Sequence, residues 1–170
     1  IIRNVYATGT IRANSQNVGG IVGYDSYLIN LSNVYSNVNI HTTQGNVGGI
    51  IGQLVSSSSQ VTNTLVLGDI YSRSSSENVQ RTVGNMNINQ NNYAWSNQHM
   101  NGMITTNTNG ETLLTTEQLN DPFTYQNFIQ LGSAFKIDDL EENQLPQLYY
   151  KDTKELLPNQ KANYLNEYEF

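Results

Sequence analysis

The side chains able to ligate a metal or to act as acid, base or nucleophile are few and scattered. The chain carries two histidines, His41 and His99, and no cysteine. A helical zinc peptidase site needs two histidines four residues apart with a glutamate beside the first, whereas these two stand 58 positions apart. Disulfides and thiolate metal sites are excluded outright. The acids Asp25, Asp69 and Glu77 are spread along the first 110 residues, without the paired carboxylates that glycoside hydrolysis uses. Asp138, Asp139, Glu141 and Glu142 form one acid cluster, but Leu140 interrupts it and no glycine-punctuated calcium loop surrounds it. It reads as a solvated turn. The serines within Ser56 to Ser59 and Ser72 to Ser76 have no histidine or acid at a recognisable spacing, and read as turn residues that a secreted protein could glycosylate. Catalytic, cofactor-binding and metal-ligating residues are therefore set at none for this segment, and both histidines are read as surface residues.

What the sequence does contain is a repeat. Asn17-Val18-Gly19-Gly20-Ile21-Val22-Gly23 returns as Asn46-Val47-Gly48-Gly49-Ile50-Ile51-Gly52, and Asn4-Val5-Tyr6 returns as Asn33-Val34-Tyr35, both after 29 residues. Such a period marks an array whose units bury apolar surface by stacking on one another. Aligning the copies gives columns: Asn4, Asn33, Asn63 and Asn92; Tyr6, Tyr35 and Leu65; Ile11, Ile40 and Ile70; Val18, Val47 and Val79; Val22, Ile51 and Val83. The segments Val5 to Ile11, Val34 to Ile40 and Thr64 to Ile70 are β-branched or aromatic and bounded by turn residues, so they read as strands. Apolar residues before each asparagine, such as Leu28, Ile29, Leu31, Leu54, Val55 and Val61, supply a third, less regular strand. The predicted fold is mainly β, a parallel β-helix with about 29–30 residues per coil and equivalent residues stacked. Its interior is filled by isoleucine on isoleucine and tyrosine on tyrosine, with an asparagine ladder at a turn. The competing reading is an antiparallel sandwich with a chance repeat. In the third copy Gln80-Arg81 replaces Gly-Gly, as in a degenerate terminal rung.

Composition divides the chain near residue 110. The formal net charge is −6, yet only three of the fourteen acids and none of the lysines precede that point. Residues 1–110 are assigned to the solenoid. Residues 111–150 form a short helical or irregular cap over its open end, where Thr115-Thr116-Glu117-Gln118-Leu119 has a helix-start pattern, Pro122 sets a boundary, and Trp95 fills the junction. Residues 151–170 are a linker or a contact to a following domain. No basic stripe points to nucleic acid, and no apolar run is long enough to span a bilayer. Because the chain opens in mid-phrase with Ile1-Ile2-Arg3, it reads as an excised fragment.

Asn4-Val-Tyr-Ala-Thr-Gly-Thr-Ile11 followed by Val18-Gly-Gly-Ile-Val-Gly23 resembles the GLUG repeat of large secreted bacterial surface proteins. The later run of Asn92-Tyr93-Ala94-Trp95, Thr116-Glu117-Gln118-Leu119, Phe123, Leu131-Gly132, Phe135 and Gln144-Leu145-Pro146-Gln147-Leu148 is similar to the segment that closes such arrays. Over residues 1–150 the combination resembles the N-terminal, non-catalytic region of IgA1-protease-like zinc metallopeptidases of Gram-positive bacteria. The resemblance implies a secreted, cell-surface or wall-anchored parent whose zinc lies in another domain. It also implies a host extracellular partner, such as an immunoglobulin or a mucin-like glycoprotein, engaged by a spacer or substrate-binding surface. The alternative is an adhesin module that binds host glycan or protein with no peptidase attached.

Overall fold

A computed structural model describes residues 1–74, 78–88, 90–149 and 154–158. Three coils of a parallel β-solenoid form its body. The first is β1 (Ile2–Ala13), β2 (Asn17–Gly19) and β3 (Val22–Asp25); the second is β4 (Asn30–Thr42), β5 (Asn46–Gly48) and β6 (Ile51–Leu54). In the third, the long strand is divided into β7 (Gln60–Val66) and β8 (Ile70–Ser72), followed by β9 (Val79–Gln80) and a single bridge at Val83. A partial fourth coil contributes β10 (Asn92–Trp95), β11 (His99–Met100), β12 (Met103–Ile104) and β13 (Thr112–Leu114). The three full coils pair in parallel and in the register of the repeat, Val5 on Val34, Ile11 on Ile40, Ile40 on Ile70, Val18 on Val47, Val47 on Val79, and Val22 on Ile51, while in the partial coil β11 and β12 pair antiparallel.

Each coil turns at an asparagine in the left-handed region, Asn4, Asn33, Asn63 and Asn91, with φ of 56°, 57°, 55° and 52°. Asparagine tolerates that conformation better than other side-chain-bearing residues. Their amides form a ladder, Asn33 donating to Asn4 at 3.2 Å, Asn63 to Asn33 at 3.0 Å and Asn91 to Asn63 at 2.7 Å. The fourth rung is thus Asn91, not Asn92. Asn92 is buried one step further on, where it accepts from Thr64 at 2.7 Å and donates to the Val61 carbonyl at 2.9 Å. The left-handed asparagine also bends the long strand, so Leu31 and Val61 belong to β4 and β7. The third side of each coil is β3 or β6, split from the preceding strand at the Gly-Gly corner, and Leu28 and Val55 lie exposed in the turns.

The tyrosine column does not fill the lumen. Strand alternation places Val34 and Ser36 inward and Tyr35 outward. The lumen is packed by Leu31, Val34, Ile50, Ile51, Leu54 and Val66, continuing into Val18, Val38, Ile40, Val47 and Ile70. Outside, Tyr6 stacks on Tyr35 with ring centroids 4.9 Å apart and planes at 4°. This outer stripe, with Leu65, Tyr93 and Trp95, is where the C-terminal segment packs through Leu119, Tyr125, Ile129, Leu131, Phe135 and Leu145. Only the start of the segment, Glu111 and β13 on β10, lies over the open end as predicted; the rest covers a flank of the stack. An outward aromatic stripe crossing four rungs presents more apolar surface than the end of a narrow lumen, and the hydrophobic effect follows area.

Within that segment α1 (Thr116–Leu119) is opened by a capping box in which Thr115 and Gln118 exchange backbone–side-chain bonds of 3.2 and 2.8 Å. A π-helical turn, Thr124–Ile129, follows. Short antiparallel pairs join β14 (Phe135–Lys136) to β16 (Gln147–Leu148), and β15 (Gln144–Leu145) to β17 (Glu155–Leu156). The described part of the tail, 154–158, lies back on the flank through buried Leu157, while its remaining residues lie outside those described. Polar pins match the apolar contact: the Tyr35 hydroxyl donates to the Pro146 carbonyl at 2.7 Å, the Tyr93 hydroxyl to Phe128 at 3.0 Å, and Trp95 Nε1 to Thr116 Oγ1 at 3.1 Å.

Two outcomes test this packing. Ile50, fully buried in the lumen, cannot take a carboxylate without leaving it unpaired, so Ile50→Asp should lower unfolding free energy by about 4 kcal/mol in urea titration. Burial raises the hydroxyls of Tyr35 and Tyr125 above the ordinary value of 10.0. The native state then keeps protons that the unfolded chain releases, so stability is whole below pH 10 and falls as pH rises beyond it. Thermal melts should show that decline, and Tyr35→Phe with Tyr125→Phe should flatten it relative to its own neutral-pH value.

Candidate functional site

The two ends and the corners of the stack are where sequence departs from the repeat. At the Gly-Gly corner, a Cβ on Gly20 would stand 2.2 Å from the Gly49 carbonyl oxygen, and one on Gly49 would stand 2.4 Å from that of Arg81. Each coil needs glycine there because another coil lies directly against it. Arg81 occupies the last such position, with no further rung of that corner to meet, and its side chain turns into the end of the lumen at 1% exposure. Its Nε donates to the Asn107 carbonyl at 3.0 Å, Nη1 to Gln98 Oε1 at 2.6 Å and Nη2 to the Thr105 carbonyl at 2.7 Å. Burial lowers the affinity of the guanidinium for its proton, and the nearby Glu111 carboxylate opposes that shift. Glu111 itself accepts from the amides of Thr82 at 3.0 Å and Asn109 at 2.8 Å. The third rung is therefore complete, and the replacement of Gly-Gly by Gln80-Arg81 is what fastens residues 97–111 across the end.

A cleft of about 710 Å³ opens beside this plug, lined by Val79, Arg81, Met100, Asn101, Thr105 and Asn107 among others. Amides, hydroxyls and carbonyls share its surface about equally with apolar groups such as Val79 and Met100, so it can hydrogen-bond a polar group set against an apolar wall.

The second departure is apolar. Tyr24, Tyr27, Leu28 and Val55 are exposed, Tyr27 to 83%. Tyr24 lies within β3, in register with Gln53, whereas Tyr27, Leu28 and Val55 belong to the stacked turns that follow β3 and β6, tied together by the Val55 amide on the Asp25 carbonyl at 3.2 Å and the Ile29 amide on Ser59 Oγ at 3.2 Å. A tyrosine, a leucine and a valine exposed on adjacent turns are residue types that recognition surfaces use.

The ionisable groups fall elsewhere. His41 and His99 are buried, contrary to the surface reading: His41 is enclosed in the register between Arg12 and Tyr71, and His99 sits against Asp69. Asp69 Oδ1 accepts from the His99 amide at 2.9 Å and lies 3.5 Å from its Nδ1, holding the turn into the partial coil. Asp138 accepts from Gln126, Glu141 pairs with Lys154, and the acid cluster is solvent-exposed. Among the described residues no three histidine, aspartate or glutamate side chains converge. Glu77, Ser75 and Ser76 lie outside the described residues. No helix among the described residues is long and apolar enough to cross a membrane.

Comparison with family models, with curated proteins and with solved structures gave no significant match.

Removing the plug tests its role. Arg81→Ala leaves the Gln98 side chain and two carbonyls without their donor, and should cost about 3 kcal/mol. Hydrogen exchange should accelerate in residues 97–111 while β4 stays protected; uniform acceleration, or none, would show that Arg81 does not fasten this segment.

Proposed function

We propose that this chain is a non-catalytic, substrate-engaging domain of a secreted, cell-surface zinc metallopeptidase that acts on host extracellular proteins such as immunoglobulin A. The resemblance of the repeat and closing phrases supplies the family. The observation that carries the engagement role is the exposed pair of turns holding Tyr27, Leu28 and Val55. A stack whose inward residues are fixed by their neighbours holds such turns in one shape, and preorganised aromatic side chains bind at low entropic cost. The parent's zinc would be held by another domain.

The adhesin reading is favoured by a different feature, the cleft beside Arg81, whose amides, hydroxyls and carbonyls are interleaved with Val79 and Met100 and can meet both the hydroxyls and the C–H face of a sugar. The two are separated on the parent protein. Tyr27→Ala with Leu28→Ser should raise KM for a folded host protein about tenfold, a loss of the size expected for a binding hot spot, and leave cleavage of a short peptide unchanged. Unchanged KM for both substrates would reject the turns as a substrate-engaging surface. Glycan binding by the isolated chain, lost on Asn101→Ala, would favour the adhesin.

A further inference from the structure

The two ends of the stack are not alike. One is plugged by Arg81 and residues 97–111; the other is bare. β1, β2 and β3 each pair on one side only, with β4, β5 and β6. β1 is a twelve-residue strand without proline or lysine, so it lacks two usual devices that keep an edge from pairing. Lumen residues show the same asymmetry. Leu31, Val34, Ile50 and Ile51 are fully buried, whereas Ile2, Val5, Ile21 and Val22, one coil away in the same columns, are only partly covered. Both ladders run toward this end: Asn33 donates to Asn4 and Asn46 donates to Asn17, each at 3.2 Å. Asn4 and Asn17 accept, and among the described residues neither side chain donates onward.

We propose that this face is covered by one further parallel coil of the same 29-residue register, supplied by polypeptide ahead of Ile1 in the parent protein. The parent belongs to the preceding proposal, but the chemistry of the occupant is set by the face alone. Its ladder residue must accept from Asn4, which asks for asparagine in the left-handed conformation. Positions over Val5, Ile11, Val18 and Val22 must be apolar. The position over Gly20 must be glycine, because a Cβ there would meet the Gly20 carbonyl as Gly20's would meet that of Gly49, at 2.2 Å. A second copy of the chain fits less well. Its far end is plugged, and a two-fold pairing of β1 with itself at full overlap sets Arg3 opposite Arg12, a like-charge contact that opposes the pairing.

The test appends residues 1–29 as a second copy ahead of Ile1 of the 170-residue chain. The added coil should raise the thermal midpoint by about 5 °C or more, as a further stacked repeat does, and should protect the amides of β1 from exchange. A scrambled extension should do neither, and Gly20→Val in the added copy alone should abolish most of the gain. A properly folded extended chain with no gain in midpoint or in β1 protection would overturn the proposal. So would sedimentation showing that the 170-residue chain dimerises at micromolar concentration with β1 protected, since the occupant would then be a second copy. These readouts involve no substrate, so they stand or fall separately from the peptidase assignment.

Discussion

The structure depends on the left-handed asparagine at the start of each coil. A single residue with positive φ lets the chain turn without breaking the parallel ladder on either side, and its amide reaches the equivalent amide one coil away. Turn and register are thereby set by the same side chain. Once Asn4, Asn33, Asn63 and Asn91 are aligned, every later residue of a coil stands over its counterpart, and the apolar columns follow. Parallel pairing across coils is non-local, with contacts about 29 residues apart, and so each coil carries a loop-closure cost before its contacts form. Repeating that turn signal in each coil favours the right register against slips, which would reverse the inward and outward faces.

Much of the stack was legible because stacking forces like residues into columns. The pairs Val18 on Val47 and Val22 on Ile51 appear in the sequence as identical or similar letters at one spacing. What spacing cannot convey is which side of a strand faces the lumen. Tyr6 and Tyr35 repeat as faithfully as Val5 and Val34, and were read as interior for that reason, yet alternation sends them outward into a second core. The doublet Asn91-Asn92 was ambiguous by one residue, and the choice is made by conformation: Asn91 takes the turn while Asn92 joins the strand pairing with Thr64. The Gly-Gly columns were recognised, but Gln80-Arg81 looked like decay. Only the placement of the Gly49 Cβ direction against the Arg81 carbonyl shows why a side chain becomes possible where the corner's stacking ends.

The flank segment shows how a solenoid acquires a second hydrophobic core. Parallel strands of α/β proteins are usually covered on both faces; here one face closes on the lumen and the other is covered by residues 115–149 and 154–158. The burial of Tyr35 from both sides, by Tyr6 and by Phe135 at 6.1 Å in a tilted contact, couples the stack to that cover. Hydrogen bonds to Pro146, Phe128 and Thr116 fix its position along the rungs. The capping box of Thr115 and Gln118 was legible because capping is local; the destination of the segment was not, because it is decided by an outward stripe assembled from four separate coils.

In such a molecule the residues free to differ are those with no neighbour above or below that dictates them. Lumen columns must match in size, corner glycines must remain small, and ladder asparagines must keep their conformation. A turn between β3 and β4 or between β6 and β7 meets only solvent and the adjacent turn, so Tyr27, Leu28 and Val55 can be placed without disturbing a rung. Each keeps more than half of its surface in solvent, so burial in the fold accounts for only part of each side chain. The same reasoning separates the two departures from the repeat: Arg81 is spent on closing the stack, with its donors directed at Gln98, Thr105 and Asn107, while the apolar turns have no such internal use and are the surface proposed above to engage another protein.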